Sequence, residues 1–74
     1  MEIKSGQTWK HYKGGVYRIV TLAQNNETDE LYDMVVYQDV SAPEKVWTQP
    51  LARFEEELKV DGEVVPRFTL VNEN

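Results

Sequence analysis

The only histidine of the chain lies in the segment WKHYKGGVY, residues 9–17. An imidazole can act as a general base when the fold holds an acid or a nucleophile beside it. If the segment is extended, His11 shares a face with Trp9, whereas Lys10 and Tyr12 point the other way. Three roles for His11 stay open at this point: a half-buried strand residue bonded to backbone or carboxylate, a ligand-binding group, or a general base.

Aromatic and basic side chains alternate around that histidine. Tyr12 and Tyr17 offer flat rings for stacking, and Lys13 and Arg18 offer positive charge for an anionic partner. Small β-barrels bind bases and peptides on such strand aromatics. A small core also needs large side chains. Trp9, Tyr12 and Tyr17 therefore belong either to the core or to a binding face.

Other site chemistries find little support in the sequence. A zinc site would have one imidazole and no thiolate to draw on. The acidic segment ETDE at 27–30 lacks the alternating oxygen ligands and the mid-loop glycine of a calcium loop. No G-x-S-x-G occurs, and Lys13-Gly14-Gly15 matches neither phosphate-binding glycine pattern. We expect no metal, no cofactor and no catalytic constellation.

Length and charge bound the kind of protein. Seventy-four residues predict a single small domain over 1–74. The net charge of −5 argues against general binding to a nucleic-acid backbone, which takes a concentrated basic surface. No apolar run approaches the roughly 20 residues of a membrane span, and the first residues lack a signal peptide's apolar centre. These features predict a soluble, cytoplasmic protein without a membrane partner.

Short β-rich runs separated by turn residues dominate the chain. Gly14-Gly15 and Asp61-Gly62 each predict a hairpin, because glycine adopts the positive φ that tight turns need. Pro66 should limit the run before it to a strand end or an edge strand. The runs that predict strands are 8–12, 16–23, 31–39, 45–49 and 67–71, together with the hairpin 59–65.

One segment has helical spacing. Pro50 suits the first turn of a helix, and Leu51, Phe54 and Leu58 then recur on one helical face. Glu55, Glu56 and Glu57 would fan around that helix near its C-terminus, where the macrodipole disfavours anions. We therefore expect a short helical segment near residues 50–57 that depends on its packing.

The fold prediction is mainly β: a small SH3-like β-barrel or a strongly curved antiparallel sheet with that one helical segment. A sheet with one helix packed across it is the alternative. Trp47, Phe54 and Phe68 are the predicted core aromatics. An unpaired edge strand such as VVYQ at 35–38 would allow a homodimer, so both monomer and homodimer stay open.

Five segments of the chain resemble, in the same order, a small bacterial family known as domain of unknown function 1653. The resemblance covers residues 9–68 and implies a stand-alone bacterial protein or a small domain beside others, with no implied activity. The segments are HYKGGVY at 11–17, A-x-x-x-E-T at 23–28, VVYQ at 35–38, VW-x-x-PL-x-x-F at 46–54 and VDGEVVPRF at 60–68.

Two positions depart from the pattern of the family. Gln49 stands where the family tends to carry arginine, and Asn25 stands where it tends to carry histidine. If those basic groups form an anion site in relatives, this chain has lost part of it. Setting aside the structural glycines, the prolines and the core aromatics leaves six candidate binding residues: His11, Tyr12, Lys13, Glu27, Thr28 and Arg67. Two further residues of the first hairpin, Tyr17 and Arg18, are added to these candidates.

The leading hypothesis is a non-enzymatic binding or interaction module that uses the first hairpin to hold a protein partner or a small anionic ligand. The competing hypothesis is a small enzyme or enzyme subunit in which Glu27 or Asp61 orients His11 as general base. An enzyme needs a carboxylate within about 3 Å of His11 in a concave pocket. A binding module needs the hairpin aromatics on an exposed face or groove.

Overall fold

A computed structural model describes residues 3–24 and 33–73, and these ranges form a mainly β domain with one short helix. The predicted strand at 31–39 begins outside these ranges and continues within them from Met34 to Asp39. The elements are β1 Thr8–His11, β2 Val16–Ala23, β3 Met34–Asp39, β4 Val46–Pro50, α1 Leu51–Phe54, β5 Glu57–Val60, β6 Glu63–Pro66 and β7 Phe68–Asn72.

Five strands form one antiparallel sheet in the order β4-β3-β2-β1-β7, and β5 and β6 form a separate hairpin. Within the described residues the sheet ends at β4 and β7, which do not pair with each other, so the barrel is not closed. Of the two predicted forms, a small SH3-like barrel or a strongly curved antiparallel sheet, the curved sheet agrees with this strand order. β3 is paired on both sides, so the prediction of an edge strand at 35–38 was wrong.

The two glycine turns form as predicted. In the first hairpin Gly14 has φ 109° and donates its N–H to the His11 carbonyl over 2.8 Å. A Cβ at Gly15 would lie 2.7 Å from the Tyr17 hydroxyl oxygen, so this glycine lets the tyrosine ring fold back over the turn. In the second hairpin Asp61 and Gly62 both have positive φ, 52° and 84°, which matches a type I′ turn.

A β-bulge changes which side chains of β2 face the core. Ile19 pairs with Tyr37 and Thr21 pairs with Val36, which leaves Val20 as an extra residue. The simple alternation of side chains between the two faces of β2 therefore continues only as far as Ile19, which is buried. Beyond the bulge Leu22 packs against the core while Thr21 is exposed. Simple alternation along residues 16–23 predicts Leu22 on the face opposite Ile19, because a bulge leaves no signature in that pattern.

The buried core contains two of the three predicted aromatics. Phe54 and Phe68 are 1% and 6% exposed, and their rings stack with centroids 4.0 Å apart. Trp9 is buried as well and meets the Phe54 ring edge-on at 5.5 Å. Trp47 was wrongly assigned to the core: it is 41% exposed, because β4 lies at the edge of the sheet. The remaining members of the core are Ile3, Ile19 and Val35.

The helix ends earlier than the leucine spacing predicts. α1 spans only Leu51–Phe54, and Leu58 lies on β5. The Glu56 carbonyl accepts the Arg67 N–H over 2.9 Å, and Glu57 already pairs with Pro66. The chain therefore leaves the helix and begins to pair as a strand at the glutamates, whose negative charges are unfavourable at a helix C-terminus. The prediction that the three glutamates fan around a helix was wrong.

No helix in the described part of the chain is both long and apolar enough to span a bilayer.

Replacing Phe54 with leucine should lower the free energy of unfolding by about 1–2 kcal/mol, because the ring stack with Phe68 and the edge contact with Trp9 are lost. The exposed variant Val64→Ala should change it by no more than about 0.5 kcal/mol. Urea denaturation followed by circular dichroism measures both. Equal costs for the two variants would contradict the assignment of Phe54 to the core.

Candidate functional site

A cavity of about 320 Å³ opens where the first hairpin meets the end of β4 and the start of β7. Its walls come from segments that are far apart in the chain. The lining residues are His11, Tyr17, Tyr37, Trp47, Gln49, Arg67 and Phe68.

Aromatic rings form most of the wall. The Tyr17 ring meets three others edge-on, with centroid distances of 5.4 Å to Tyr37, 5.6 Å to Trp47 and 5.9 Å to Phe68. Edge-to-face contacts of this kind are favourable and orient the rings relative to one another. Burial raises the pKa of the Tyr37 hydroxyl, and nearby Tyr17 raises it further, so this hydroxyl stays protonated. The wall is an ordered aromatic surface that runs from buried Phe68 to exposed Trp47.

Arg67 supplies the positive charge of the cavity. It lies between β6 and β7, where its backbone N–H bonds to the Glu56 carbonyl and its own carbonyl accepts the Tyr12 N–H, both over 2.9 Å. Its Nη2 donates to Glu56 Oε1 over 2.7 Å, and this hydrogen bond lowers the pKa of that carboxyl. The Arg67 Nε is buried and has no hydrogen-bond partner among the described residues. An unmet buried donor costs about 1–3 kcal/mol. Because Nε is enclosed by protein atoms, the guanidinium offers its Nη groups to the cavity, of which Nη2 already donates to Glu56.

His11 is held as a neutral ring beside that guanidinium. Its Nδ1 accepts the Lys13 backbone N–H over 3.1 Å, and its ring meets Phe68 edge-on at 4.9 Å. Burial lowers the pKa of His11, and the charges of Arg67 and Lys13 lower it further. Because Nδ1 is the acceptor, the proton of the neutral ring belongs on Nε2, which becomes a donor. Within residues 3–24 and 33–73, no carboxylate is bonded to His11.

The remaining predicted site residues do not line the cavity. Tyr12 and Lys13 are exposed on the hairpin turn, with the Lys13 Nζ 5.8 Å from the Tyr12 ring centroid. Arg18 is exposed on β2. Glu27 and Thr28 lie outside the described residues. Of the eight candidates, the structure therefore brings three together in the cavity: His11, Tyr17 and Arg67.

Four lining residues were not among the sequence candidates: Tyr37, Trp47, Gln49 and Phe68. Trp47 and Phe68 are predicted core aromatics, Tyr37 falls within the predicted strand at 31–39, and Gln49 enters only as a departure from the family pattern. Trp47 pairs with Tyr37 and Gln49 pairs with Val35, so Trp47 and Gln49 are two residues apart on one face of β4. The alternation of side chains along β4 is the sequence signal that groups Trp47 with Gln49. It carries no information about which other residues that face contacts.

A second groove, of about 290 Å³, lies on the other side of Phe68 along β7 and α1, and its lining is mainly apolar, with Trp9, Phe54 and Leu70 among its residues. It contains no basic side chain and none of the predicted site residues.

In the described ranges, no cluster of three or more histidine, cysteine, aspartate or glutamate side chains is arranged to hold a metal ion.

Comparison with known proteins identifies a family. A family model described as "Protein of unknown function (DUF1653)" matches residues 7–70, which is nearly the whole chain. The match agrees with the resemblance seen in the five sequence segments. No curated protein and no solved structure matches the chain.

The depressed pKa of His11 predicts a pH dependence of stability. The unfolded chain takes up a proton near the ordinary histidine pKa of about 6.5, whereas the folded chain takes it up only at lower pH, so stability falls as pH decreases through this window. We expect the urea midpoint of the wild type to fall between about pH 7 and pH 5 by more than that of His11→Gln.

His11 is the only histidine, and all carboxylates and the terminal amine are present in both proteins, so the difference isolates its titration. Glu56, whose pKa is lowered, titrates below this range. Parallel pH profiles for wild type and His11→Gln would show that the folded environment leaves the His11 pKa unchanged.

Proposed function

The chain belongs to the DUF1653 family, and from the geometry of its cavity we propose that it is a non-enzymatic binding module for a small anionic ligand. The observation that carries the proposal is the Arg67 guanidinium, which lines the cavity with one nitrogen bonded to Glu56, beside a wall of aromatic rings. A guanidinium forms strong charge-assisted hydrogen bonds with carboxylate and phosphate oxygens. Expected features that accompany this proposal are a bacterial origin and a cytoplasmic location.

The local charge supports an anion even though the whole chain is acidic. Arg67 and Lys13 both lower the pKa of His11, so the positive potential of these two residues reaches the cavity wall. Among the described residues Arg67 pairs with one carboxylate, that of Glu56, and the pair uses one guanidinium nitrogen. An anion in the cavity would meet this potential and the unused donors together.

The alternative of a small enzyme has no comparable support. The His11 Nδ1 is already bonded to a backbone N–H, and no described carboxylate orients the ring. Asp61, one of the two carboxylates considered for that role, is exposed in the β5–β6 turn. The other, Glu27, lies outside the described residues. A neutral donor histidine beside an arginine suits binding better than general base catalysis.

Nuclear magnetic resonance titration of the full chain tests the proposal. The probes are inorganic phosphate, acetate, benzoate, nucleoside monophosphates and short single-stranded RNA and DNA. We expect at least one small anion to shift the amide signals of cavity residues such as Tyr37, Trp47 and Phe68, with weaker binding at higher salt. Shifts confined to Tyr12 and Arg18 would point instead to a partner on the hairpin surface, and no shifts at all would reject the module.

Two charge-removing variants sharpen the result. Arg67→Gln should weaken binding of that anion roughly 10- to 100-fold, because a hydrogen bond to a charged group contributes about 1.5–3 kcal/mol. Lys59→Gln removes the same charge from an exposed position on β5 that does not line the cavity, so affinity should stay within about twofold of wild type. Equal losses in both variants would mean that only the overall charge matters.

A further inference from the structure

We infer that the ligand is a small planar aromatic monocarboxylate, whose ring lies against the Trp47 and Tyr37 wall and whose carboxylate meets Arg67. This inference rests on the proposed function and narrows it to one chemical class. The cavity of about 320 Å³ is at the lower end of ligand sites, which span roughly 300–1,000 Å³, so it suits a molecule of one or two rings.

The aromatic wall favours a flat ring. The rings of Tyr37 and Trp47 are tilted by only 31°, with centroids 6.1 Å apart, and both meet Tyr17 edge-on. Each ring is thus in contact with Tyr17, while Trp47 remains 41% exposed and keeps ring surface open. A planar ring can stack or meet these rings edge-on with favourable quadrupole contacts. A saturated ring of similar size has no such contacts.

The charge of the lining favours one negative charge. Arg67 is the one lining residue of the described chain with a full positive charge, because His11 is neutral and position 49 carries glutamine. Glu56 already offsets part of that charge at 2.7 Å. A phosphate dianion would therefore be undercompensated, and it would also lie near the Glu56 carboxylate. A carboxylate matches both the single charge and the fork of the guanidinium.

Neutral donors complete the polar side of the cavity. Gln49 is half-buried in the lining, and its side chain makes no hydrogen bond with the described residues. His11 contributes Nε2–H, since its Nδ1 is occupied. Together with Arg67, these groups present more donors than acceptors, which again suits a carboxylate.

Four probes of similar size separate ring planarity from charge. Benzoate has the flat ring and one charge, benzamide is flat and neutral, cyclohexanecarboxylate is charged and not planar, and phenyl phosphate is flat and largely dianionic at neutral pH. In titrations of the wild type near neutral pH we expect benzoate to bind tightest, at least about tenfold tighter than benzamide, because that comparison removes a charge-assisted hydrogen bond.

Three variants assign the contacts. Arg67→Gln should lower the affinity for benzoate to the affinity for benzamide. Trp47→Leu, at an exposed edge position, should weaken benzoate roughly 3- to 10-fold and leave cyclohexanecarboxylate nearly unchanged, because only the flat ring gains aromatic contacts of about 0.5–1.5 kcal/mol. Glu56→Gln should strengthen benzoate up to about fivefold by releasing the guanidinium from a partly exposed ion pair. Amide spectra confirm that each variant is folded.

The two levels of the proposal fail differently. If phenyl phosphate, cyclohexanecarboxylate or benzamide equals benzoate in affinity, the aromatic monocarboxylate is overturned while the cavity remains an anion or ring site. If benzoate leaves the cavity signals unchanged but another small anion shifts them, the inference fails alone. If neither these four compounds nor the wider panel shifts them, the binding module fails as well.

Discussion

The stacked pair of Phe54 and Phe68 is the contact on which the rest of the molecule depends. Their rings lie 4.0 Å apart and within 8° of parallel, and both are almost fully buried. Phe54 is the last residue of the short helix and Phe68 is the first of the last strand, so this one contact joins α1 to β7 across the core. A four-residue helix is far too short to be stable by itself. Packing of its last residue against β7 is what holds it in place.

The position of the cavity follows from that stack. Arg67 is the residue before Phe68, and burying the ring fixes the backbone at which the arginine side chain begins. Two backbone hydrogen bonds, from Arg67 to the Glu56 carbonyl and from Tyr12 to the Arg67 carbonyl, then join the end of the helix to the first hairpin. The guanidinium therefore lies at the same end of the sheet as His11. Core and candidate site share Phe68, which explains why a small domain can build a lined cavity from so few residues.

The local charge at the cavity is opposite in sign to the net charge of the protein. The chain has a net charge of −5, yet burial and the charges of Arg67 and Lys13 lower the pKa of His11. The Glu56 carboxylate that pairs with Arg67 is the more exposed partner of that pair. At short distance the specific neighbours of a group determine its electrostatics, whereas distant surface charges are screened over about 8 Å at physiological ionic strength. An acidic protein can therefore keep a local anion site while having little attraction for a nucleic-acid backbone.

Local sequence was enough to predict the two glycine turns, the strand content, the start of the helix directly after Pro50 and the family. Each depends on residues close together in the chain, through the φ angles that glycine allows, β propensity or a run of matching motifs. The tertiary structure alone decided where the helix stops, that the bulge at Val20 turns Leu22 inward, and that Trp47 stands on an edge strand at the cavity. It also decided that Gln49 joins His11 and Arg67. Those outcomes depend on which strands pair and in what register, and pairing between distant segments is a balance of packing and hydrogen bonds that no local pattern contains.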